Sequence, residues 1–594
     1  MATLNAPLND IMYLNNEFLD STEIAQLPHS KEVTNDLSNA IFSEAAKVSE
    51  EILFPLNRPA DEQGCQLNNG AVITPDGFKR AYQDITKAGW GNLTCLPKYG
   101  GQGMPHYISN AVDEMLISGN MAFSIYMGLT IGAYYAIEKF ASEEIKKQYL
   151  PNMVSGKWSG TMCLTEPHCG TDLGLIRSKA TPQNDGTYEV TGHKIFISAG
   201  EHDLTENIIH LVLARTPNAP LGTKGISLFL VPKIQVNPDD SLGQANGVSC
   251  IGLEDKMGIK ASATCSLEFE ASRGLLVGEL YQGIPAMFIM MNTARIHVGI
   301  QGLAVAQASY SSAVNYAKQR LQGRSLTGPK APERYADPLI VHPDIRRMLM
   351  TMKAYTEGAR AFSTWLSLKL DLSQQASDVV TREKSEQLIS LMTPIFKSFL
   401  TDIGESVTSM GIQIYGGHGY IRENGMEQYL RDARICQIYE GANGIQALDL
   451  IGRKIPSEMG KKLRYFFHPL SNFIKKHKDD GQLSPYIAPL EKSFKRLQTA
   501  TLAIGKKSLN NPEATASTAS DYLELFGLVA VAYMWAKICV DISRNQGAMT
   551  DDFYDAKLKT GLFYMQRILP QTSSLMSGIM SESGNTMGLT DEQF

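Results

Sequence analysis

The chain lacks the short signatures by which many cofactor sites announce themselves. None of its eight cysteines (65, 95, 163, 169, 250, 265, 436 and 539) forms a CxxC pair, and most sit among apolar neighbours. That pattern suits buried thiols in a reducing cytoplasm, not a disulfide scaffold. No GxGxxG lies between a strand and a helix, and the P-loop, HExxH and GxSxG patterns are missing. A Rossmann dinucleotide site, a phosphate-cradling loop, a zincin helix and a hydrolase elbow are therefore not expected. Cys163, His168 and Cys169 are close in sequence, but their spacing fits no zinc pattern and no second ligand pair follows, so no metal is expected. The N-terminus, MATLNAPLNDIMYLNNEFLD, carries acids and no basic region, so it does not read as a signal peptide. Long apolar runs are also scarce. Residues 121–137 are uncharged but fall short of the ~20 residues a span needs, and 525–536 is shorter still. Both read as buried helices, with no membrane span. With 55 Lys and Arg against 61 Asp and Glu, there is no excess positive charge to point to nucleic acid as the main partner.

What the chain does have is size and apolar content: 594 residues, 43% hydrophobic and 20% charged. This is enough for two to four domains with large cores. To about residue 160 the apolar spacing is helical, as in EFLDSTEIAQL and SEEIKKQYLPNMVSG, with LPKYGGQGMP as a loop. The period then changes to two. Residues 188–191, 194–198, 208–215, 226–232 and 262–270 are short β-rich runs, separated by turn chemistry at Asn184-Asp185-Gly186 and Thr191-Gly192-His193. From Gly283 long helices return: one stopped by Gly323, a second after His342-Pro343-Asp344, a third restarted or kinked at Pro394, and a fourth ending at Tyr415-Gly416-Gly417-His418-Gly419-Tyr420. The expected fold is a multidomain α+β arrangement. It has an N-terminal extension (1–36), an N-terminal helical domain (37–160), a middle β-barrel or sandwich (161–280), a C-terminal four-helix bundle (281–455) and an additional helical domain (465–590).

Three segments stand out. MCLTEPHCGTD (162–172) opens the β region, KIFISAG (194–200) lies inside it, and RDARICQIYEGANGIQ (431–446) closes the bundle. In this order, between these blocks, they resemble the acyl-CoA dehydrogenase family of flavoproteins over about residues 40 to 455. The opening APLNDIMYLNNEFLD, the RLQGRSLTGPKAPERYADPLIVHPD insertion and the C-terminal extension are most similar to its long branch. That branch includes 3-methylmercaptopropionyl-CoA dehydrogenases and bacterial enzymes for linear fatty acyl-CoA.

The resemblance implies FAD as cofactor, an acyl-CoA thioester as substrate, α,β-dehydrogenation to the trans-2-enoyl-CoA, electron-transfer flavoprotein as acceptor, and a cytoplasmic homodimer. In the family a glutamate takes the α-proton while the β-hydride goes to flavin N5. The thioester carbonyl is held by a ribityl hydroxyl and the glutamate's own backbone N–H. Glu440 matches that base. Some relatives place it on an earlier helix, where this chain has Ala294, so Glu440 is the one candidate. By motif, Cys163, Thr165, Thr171, Phe196 and Ser198 fall at the flavin, with Phe196 where many relatives have Trp. Arg324 matches the arginine that reaches the pyrophosphate of a neighbouring subunit, and Gln413, Gly416 and Gly417 match the turn at the adenosine half. Thr171, Asn292, Arg295 and Gly441 match substrate contacts. Two positions depart from the family: Asn292 replaces a usual Asp, and Ala442 a usual Thr whose hydroxyl would be worth about 1 kcal/mol to a flavin contact.

Two further readings share the fold. An acyl-CoA oxidase would let O₂ reach the reduced flavin. A flavin-containing DNA-binding relative would need a basic C-terminal domain, and residues 451–510 do carry 13 Lys and Arg against 4 Asp and Glu. A solvated basic face is the simpler reading of that segment, and no nucleic-acid partner is expected.

Overall fold

The computed structural model describes residues 1–28, 31–544, 547–582 and 584–594. It resolves into two compact units. One comprises Lys47–Pro105 and Gly119–His297; the other comprises Met1–Ala46, His106–Ser118 and Val298–Phe594.

The first unit is built on a seven-stranded sheet: β1 (Trp158–Cys163), β2 (Lys179–Pro182), β3 (Tyr188–Ser198), β4 (Asn207–Ala214), β5 (Ser227–Pro232), β6 (Val248–Leu253) and β7 (Thr264–Val277). The order is β1-β4-β5-β7-β3-β2, with β6 also on β7. Only β1 and β4 run parallel. The long β7 pairs with β3 and β6 along most of its length and with β5 through Leu275–Val277. A bridge from Lys179 to Arg215 brings β2 back beside the end of β4, which closes the barrel. All eight residues of β4 and all six of β5 are buried, as expected of central strands covered on both faces. The Met121–Phe140 and Glu143–Val154 helices, capped by Asn120 and Ser142, lay Ala133, Ile137, Leu150 and Met153 against Trp158, Ile209, Leu211, Leu228 and Leu230.

Thr191-Gly192-His193 does not make the expected turn; β3 runs through it. Gly192 is there for space, because a Cβ on it would collide with Ser178 Oγ. Three strands of this sheet fall outside the expected runs: β1, β2 and β6.

The second unit is helical. Gly283–Gln319 contributes its later part, followed by Pro343–Gln375, Val379–Tyr415 and Met426–Cys436. The first of these ends four residues before Gly323, which sits at φ +70° in the following loop. The third and fourth expected helices are one 37-residue helix that continues through Pro394. Every residue from Leu391 to Thr401 is buried, so packing outweighs the ~3 kcal/mol that an interior proline costs. Gly302 and Gly404 let two bundle helices touch backbone to backbone; a Cβ on Gly404 would lie 2.8 Å from the Gly302 carbonyl oxygen.

The Lys461–His477, Ser484–Asn510, Ala519–Arg544 and Asp551–Phe563 helices complete the unit. Ala519–Arg544 is long and apolar enough to cross a membrane, but 89% of its most apolar window is buried within the protein. Met121–Phe140 is likewise a core helix.

At the centre of this unit lies a buried charge network. The Arg360 guanidinium donates to both Glu114 oxygens (Nε to Oε1 at 2.8 Å and to Oε2 at 3.1 Å), to Gln307 and to Asp10. Lys557 donates to Asp10 and to Glu357, and Lys353 to Glu357. The first residues of the chain are held too. Thr3 N–H donates to Ser312 Oγ, Asn5 N–H to Ser311 Oγ and Ala2 N–H to Asn424 O.

Candidate functional site

In the barrel unit the predicted flavin residues gather where β1 and β3 end. Thr165 O accepts from Ile195 N–H at 2.9 Å, which fixes the segment after β1 against the strand that carries Phe196 and Ser198. Cys163 is fully buried, its thiol beside Thr161 and His210, so only its backbone can face a ligand. Phe196 is 58% exposed and, at φ +58°, occupies the left-handed region. An exposed aromatic in a strained backbone points to function. Thr165 and Ser198 are half-buried and Thr171 is exposed.

What anchors these groups was not legible from the motifs. Glu166 and Lys194 form an ion pair at 2.8 Å with both side chains buried. Lys194 Nζ also donates to Leu164 O, while Glu166 accepts from Arg177 N–H, Ser178 N–H and Ser178 Oγ–H. Burial alone would raise the Glu166 carboxyl, but the Lys194 ammonium and these donors outweigh it and hold it below the usual range. Arg215 ties the same loop down through Gly174 O, Ile176 O, Pro220 O and Gly222 O. Glu166, His168 and Cys169 do converge within 4.8 Å. Glu166 is already committed to Lys194, so the trio is a poor metal site. Asn292 is exposed, whereas Arg295 is buried with its guanidinium over the Phe288 ring.

In the helical unit Glu440 is half-buried, in a loop between the Met426–Cys436 and Asn443–Asp449 helices. Its φ is +55° and that of Gly441 is +88°. A non-glycine residue in this region costs on the order of 1–2 kcal/mol, so the loop must be held. Lys397 Nζ donates to Gly441 O and to Asn443 Oδ1, each at 2.9 Å. Asn443 Nδ2 donates to Asp402 Oδ1 at 2.8 Å, as does Gln437 Nε2 at 2.7 Å. The Tyr439 hydroxyl, pushed far above its ordinary range by burial, stays protonated and donates to Gln301. Ala442 caps the following helix without a side-chain bond, the local consequence of the missing threonine hydroxyl.

Gln413, Gly416 and Gly417 are exposed at the end of Val379–Tyr415. No atom lies within 4 Å of a Cβ built on either glycine. Tyr316 and Tyr415 stack beside this turn at 4.0 Å, and the Tyr316 hydroxyl bonds His418 Nδ1. Arg324 lies apart, in the loop after Gly323, bonded to Ala331 O, Arg334 O and Asp337. Three backbone N–H groups (Ser325, Lys330 and Ala331) and this arginine pull Asp337 down to about 2. Within the barrel unit, an exposed aromatic ring with hydroxyls near it has the chemistry to receive a flavin ring; within the helical unit, an open glycine turn could admit an adenosine and a bonded guanidinium could face a phosphate.

Of the basic residues in 451–510, Arg453, Lys461, Arg464, Lys475, Lys476, Lys478, Lys492, Lys495 and Lys506 are exposed. Lys454, Lys462, Arg496 and Lys507 are instead bonded to Ser390, Thr572 and the Ile579 and Ser581 carbonyls.

Comparison with known proteins gives matches along nearly the whole chain. The profiles of the acyl-CoA dehydrogenase N-terminal, middle and C-terminal domains match residues 40–157, 161–272 and 281–455, and an acetyl-CoA dehydrogenase C-terminal-like profile matches 466–590. The chain is 37% identical over 593 residues to a 3-methylmercaptopropionyl-CoA dehydrogenase of Ruegeria pomeroyi, covering 98% of this chain and 99% of that one. It is 31% identical to a butyryl-CoA dehydrogenase of Syntrophomonas wolfei, covering 99% and 98%. Among solved structures, an acyl-CoA dehydrogenase complexed with FAD from Bacillus anthracis superposes with a TM-score of 0.75 at 20% identity, over 97% of this chain and 92% of that one. The chain belongs to the acyl-CoA dehydrogenase family of FAD-dependent oxidoreductases.

Proposed function

We propose that the protein oxidises a short, unbranched acyl-CoA thioester to its trans-2-enoyl-CoA, with 3-methylmercaptopropionyl-CoA the first candidate and other linear acyl-CoA thioesters the alternative. The observation that carries this is the end-to-end relationship to the Ruegeria enzyme; a second full-length relative is named for butyryl-CoA. Both names describe acyl chains of four or five backbone atoms.

Glu440 takes the α-proton. A carboxylate with an ordinary affinity near pKa ~4.3 is a weak base for a C–H bond, so the developing enolate must be stabilised. The left-handed turn at Glu440 and Gly441 carries the Glu440 backbone N–H, which in this reading donates to the thioester oxygen. FAD, when bound, supplies N5 as acceptor of the β-hydride. Phe196 would pack on its ring, Thr165 and Ser198 would donate to it, and Thr171 and the Cys163 backbone would help to hold it. Gln413, Gly416 and Gly417 admit the adenosine half. Arg324 reaches the diphosphate of a second subunit, which makes the enzyme a homodimer. Asn292, Arg295, Thr171 and Gly441 face the acyl-CoA. Electrons leave to an electron-transfer flavoprotein. Seven of the eight thiols are buried and all are unpaired, which supports a cytoplasmic setting. The five-part division at 1–36, 37–160, 161–280, 281–455 and 465–590 is part of the same reading.

The test is anaerobic flavin reduction by a panel of acyl-CoA thioesters. Wild type should bleach FAD fastest with the four- and five-atom chains. Glu440→Gln should keep its FAD and lose at least 1,000-fold in rate; a rate within tenfold of wild type refutes the assignment. Rapid stoichiometric peroxide on admitting air would make the protein an oxidase.

A further inference from the structure

Lys397 occupies an unusual position for a fully buried ammonium. It lies in the middle of the Val379–Tyr415 helix, 0% exposed. Two of its bonds run to the loop that carries Glu440: to the carbonyl of the next residue, Gly441, and to the side chain of Asn443, each at 2.9 Å. Asn443 is the hub of this loop. Its amide nitrogen donates to Asp402 at 2.8 Å, to Thr401 Oγ1 at 3.0 Å and to Ser398 O at 3.3 Å, and its N–H closes on Gln437 O at 3.0 Å. Gln446 Nε2 adds a second, longer bond to Gly441 O at 3.3 Å. Both ends of the loop are thus tied to residues 397–402 of one helix.

A buried charge is expensive unless it organises something around it. Here the organised element is the strained pair at Glu440 and Gly441, which a chain left to itself would relax. Releasing the Gly441 carbonyl would let that peptide rotate. The Glu440 N–H and carboxylate would move with it, and displacements of about an ångström at a reacting group cost on the order of a hundredfold in rate.

We propose that Lys397 is a positioning residue for the dehydrogenation. Its ammonium fixes the left-handed Glu440–Gly441 turn, so that the base and the adjoining backbone N–H are set before substrate arrives. The inference rests on the reading of Glu440 as the base. Lys397 itself touches neither substrate nor flavin in this account. Ionisable groups around the loop include Asp402, Asp432, Arg434, Cys436 and Tyr439, with Glu405 and Glu524 near Asp402.

The experiment is stopped-flow flavin reduction by butyryl-CoA, using Lys397→Met, Lys397→Gln, Asn443→Ala and Glu440→Gln as holoproteins. Lys397→Met should keep FAD and bind butyryl-CoA within threefold of wild type, while its limiting reduction rate falls about a hundredfold. Lys397→Gln, which retains one N–H donor, should recover part of that loss. Asn443→Ala reaches the same turn from its other side and should fall about tenfold; it decides the matter if Lys397→Met cannot be purified with flavin. The proposal is overturned if Lys397→Met reduces FAD within threefold of wild type, or if its defect lies wholly in substrate affinity. It is also overturned if Asn443→Ala, standing in for an unrecoverable Lys397→Met, loses less than threefold. Near-normal reduction by Glu440→Gln would instead refute the assignment of the base. An inactive Glu440→Gln beside an active Lys397→Met refutes only the positioning role.

Discussion

Replacing Arg360 by methionine removes the cation that, among the described residues, bonds Glu114. In the folded protein Glu114 is 2% exposed and its carboxylate takes three contacts, all from Arg360. Asp10, the guanidinium's other carboxylate partner, keeps Lys557. The variant must therefore bury Glu114 unpaired or protonate it, and protonation is the cheaper route. Taking up a proton at pH 7 from an ordinary pKa of about 4.3 costs about 4 kcal/mol, and at pH 5 about 1 kcal/mol. Arg360→Met should thus be destabilised by about 4 kcal/mol at pH 7, within the range for breaking a buried pair, and the deficit should shrink by about 3 kcal/mol at pH 5. Urea midpoints at pH 7, 6 and 5, followed by tryptophan fluorescence, measure this, because Trp365 and Trp535 are buried in the same unit. The double variant Arg360→Met/Glu114→Gln should regain most of the loss and show no such pH dependence. A deficit below about 1 kcal/mol, or one constant from pH 7 to 5, would show that Glu114 does not depend on Arg360 for its charge.

Two other titratable groups give contrasting pH signatures. Burial, reinforced by nearby Lys369, lowers Lys537 to about 8 despite the Phe18 and Tyr533 rings beside it. The unfolded state holds its proton more tightly, so this group's penalty is complete below pH 8 and fades as pH rises towards 10.4. Lys537→Met should be more stable than wild type by up to ~3 kcal/mol at pH 7, with the gap closing by pH 10; an unchanged gap over that range argues against it. His210 is held neutral, its pKa lowered to about 3 by burial and then by Lys233, with Nδ1 bonded to Thr161 at 2.8 Å. The unfolded chain takes up its proton below about 6.5, so stability falls by about 1.4 kcal/mol per pH unit between there and pH 3. His210→Gln should flatten that acid limb by the same amount in urea titrations; an identical slope would mean that His210 charges within the fold.

The β-rich runs at 208–215 and 226–232 were legible as strands because a buried central strand needs a continuous apolar stretch, and the structure has β4 and β5 there. The break expected at Thr191-Gly192-His193 was not real. Glycine reads as a turn in a sequence, whereas here it makes room for Ser178. Pro394 misled in the same way: a local rule lost to the packing of a fully buried helix. At the candidate site the motifs supplied Glu440, Phe196 and the glycine turn. They could not supply Lys397, 44 residues from the carbonyl it holds, nor the Glu166–Lys194 pair, 28 residues apart. A lysine in a helix reads as solvated until its partner is known, and partnership at that distance leaves no periodic trace.

The bond between Asp10 and Lys557 joins residues 547 positions apart, and this sets a schedule for biosynthesis. At 5–20 residues per second, an emerging Asp10 waits roughly half a minute to two minutes for its partner. Arg360 reaches Asp10 sooner, but its neighbour Glu357 also depends on Lys557. Until the last forty or so residues leave the ribosome, the helical unit holds an acidic centre short of one cation and open where the Asp551–Phe563 helix will sit. A stop codon anywhere before Lys557 would strand it there.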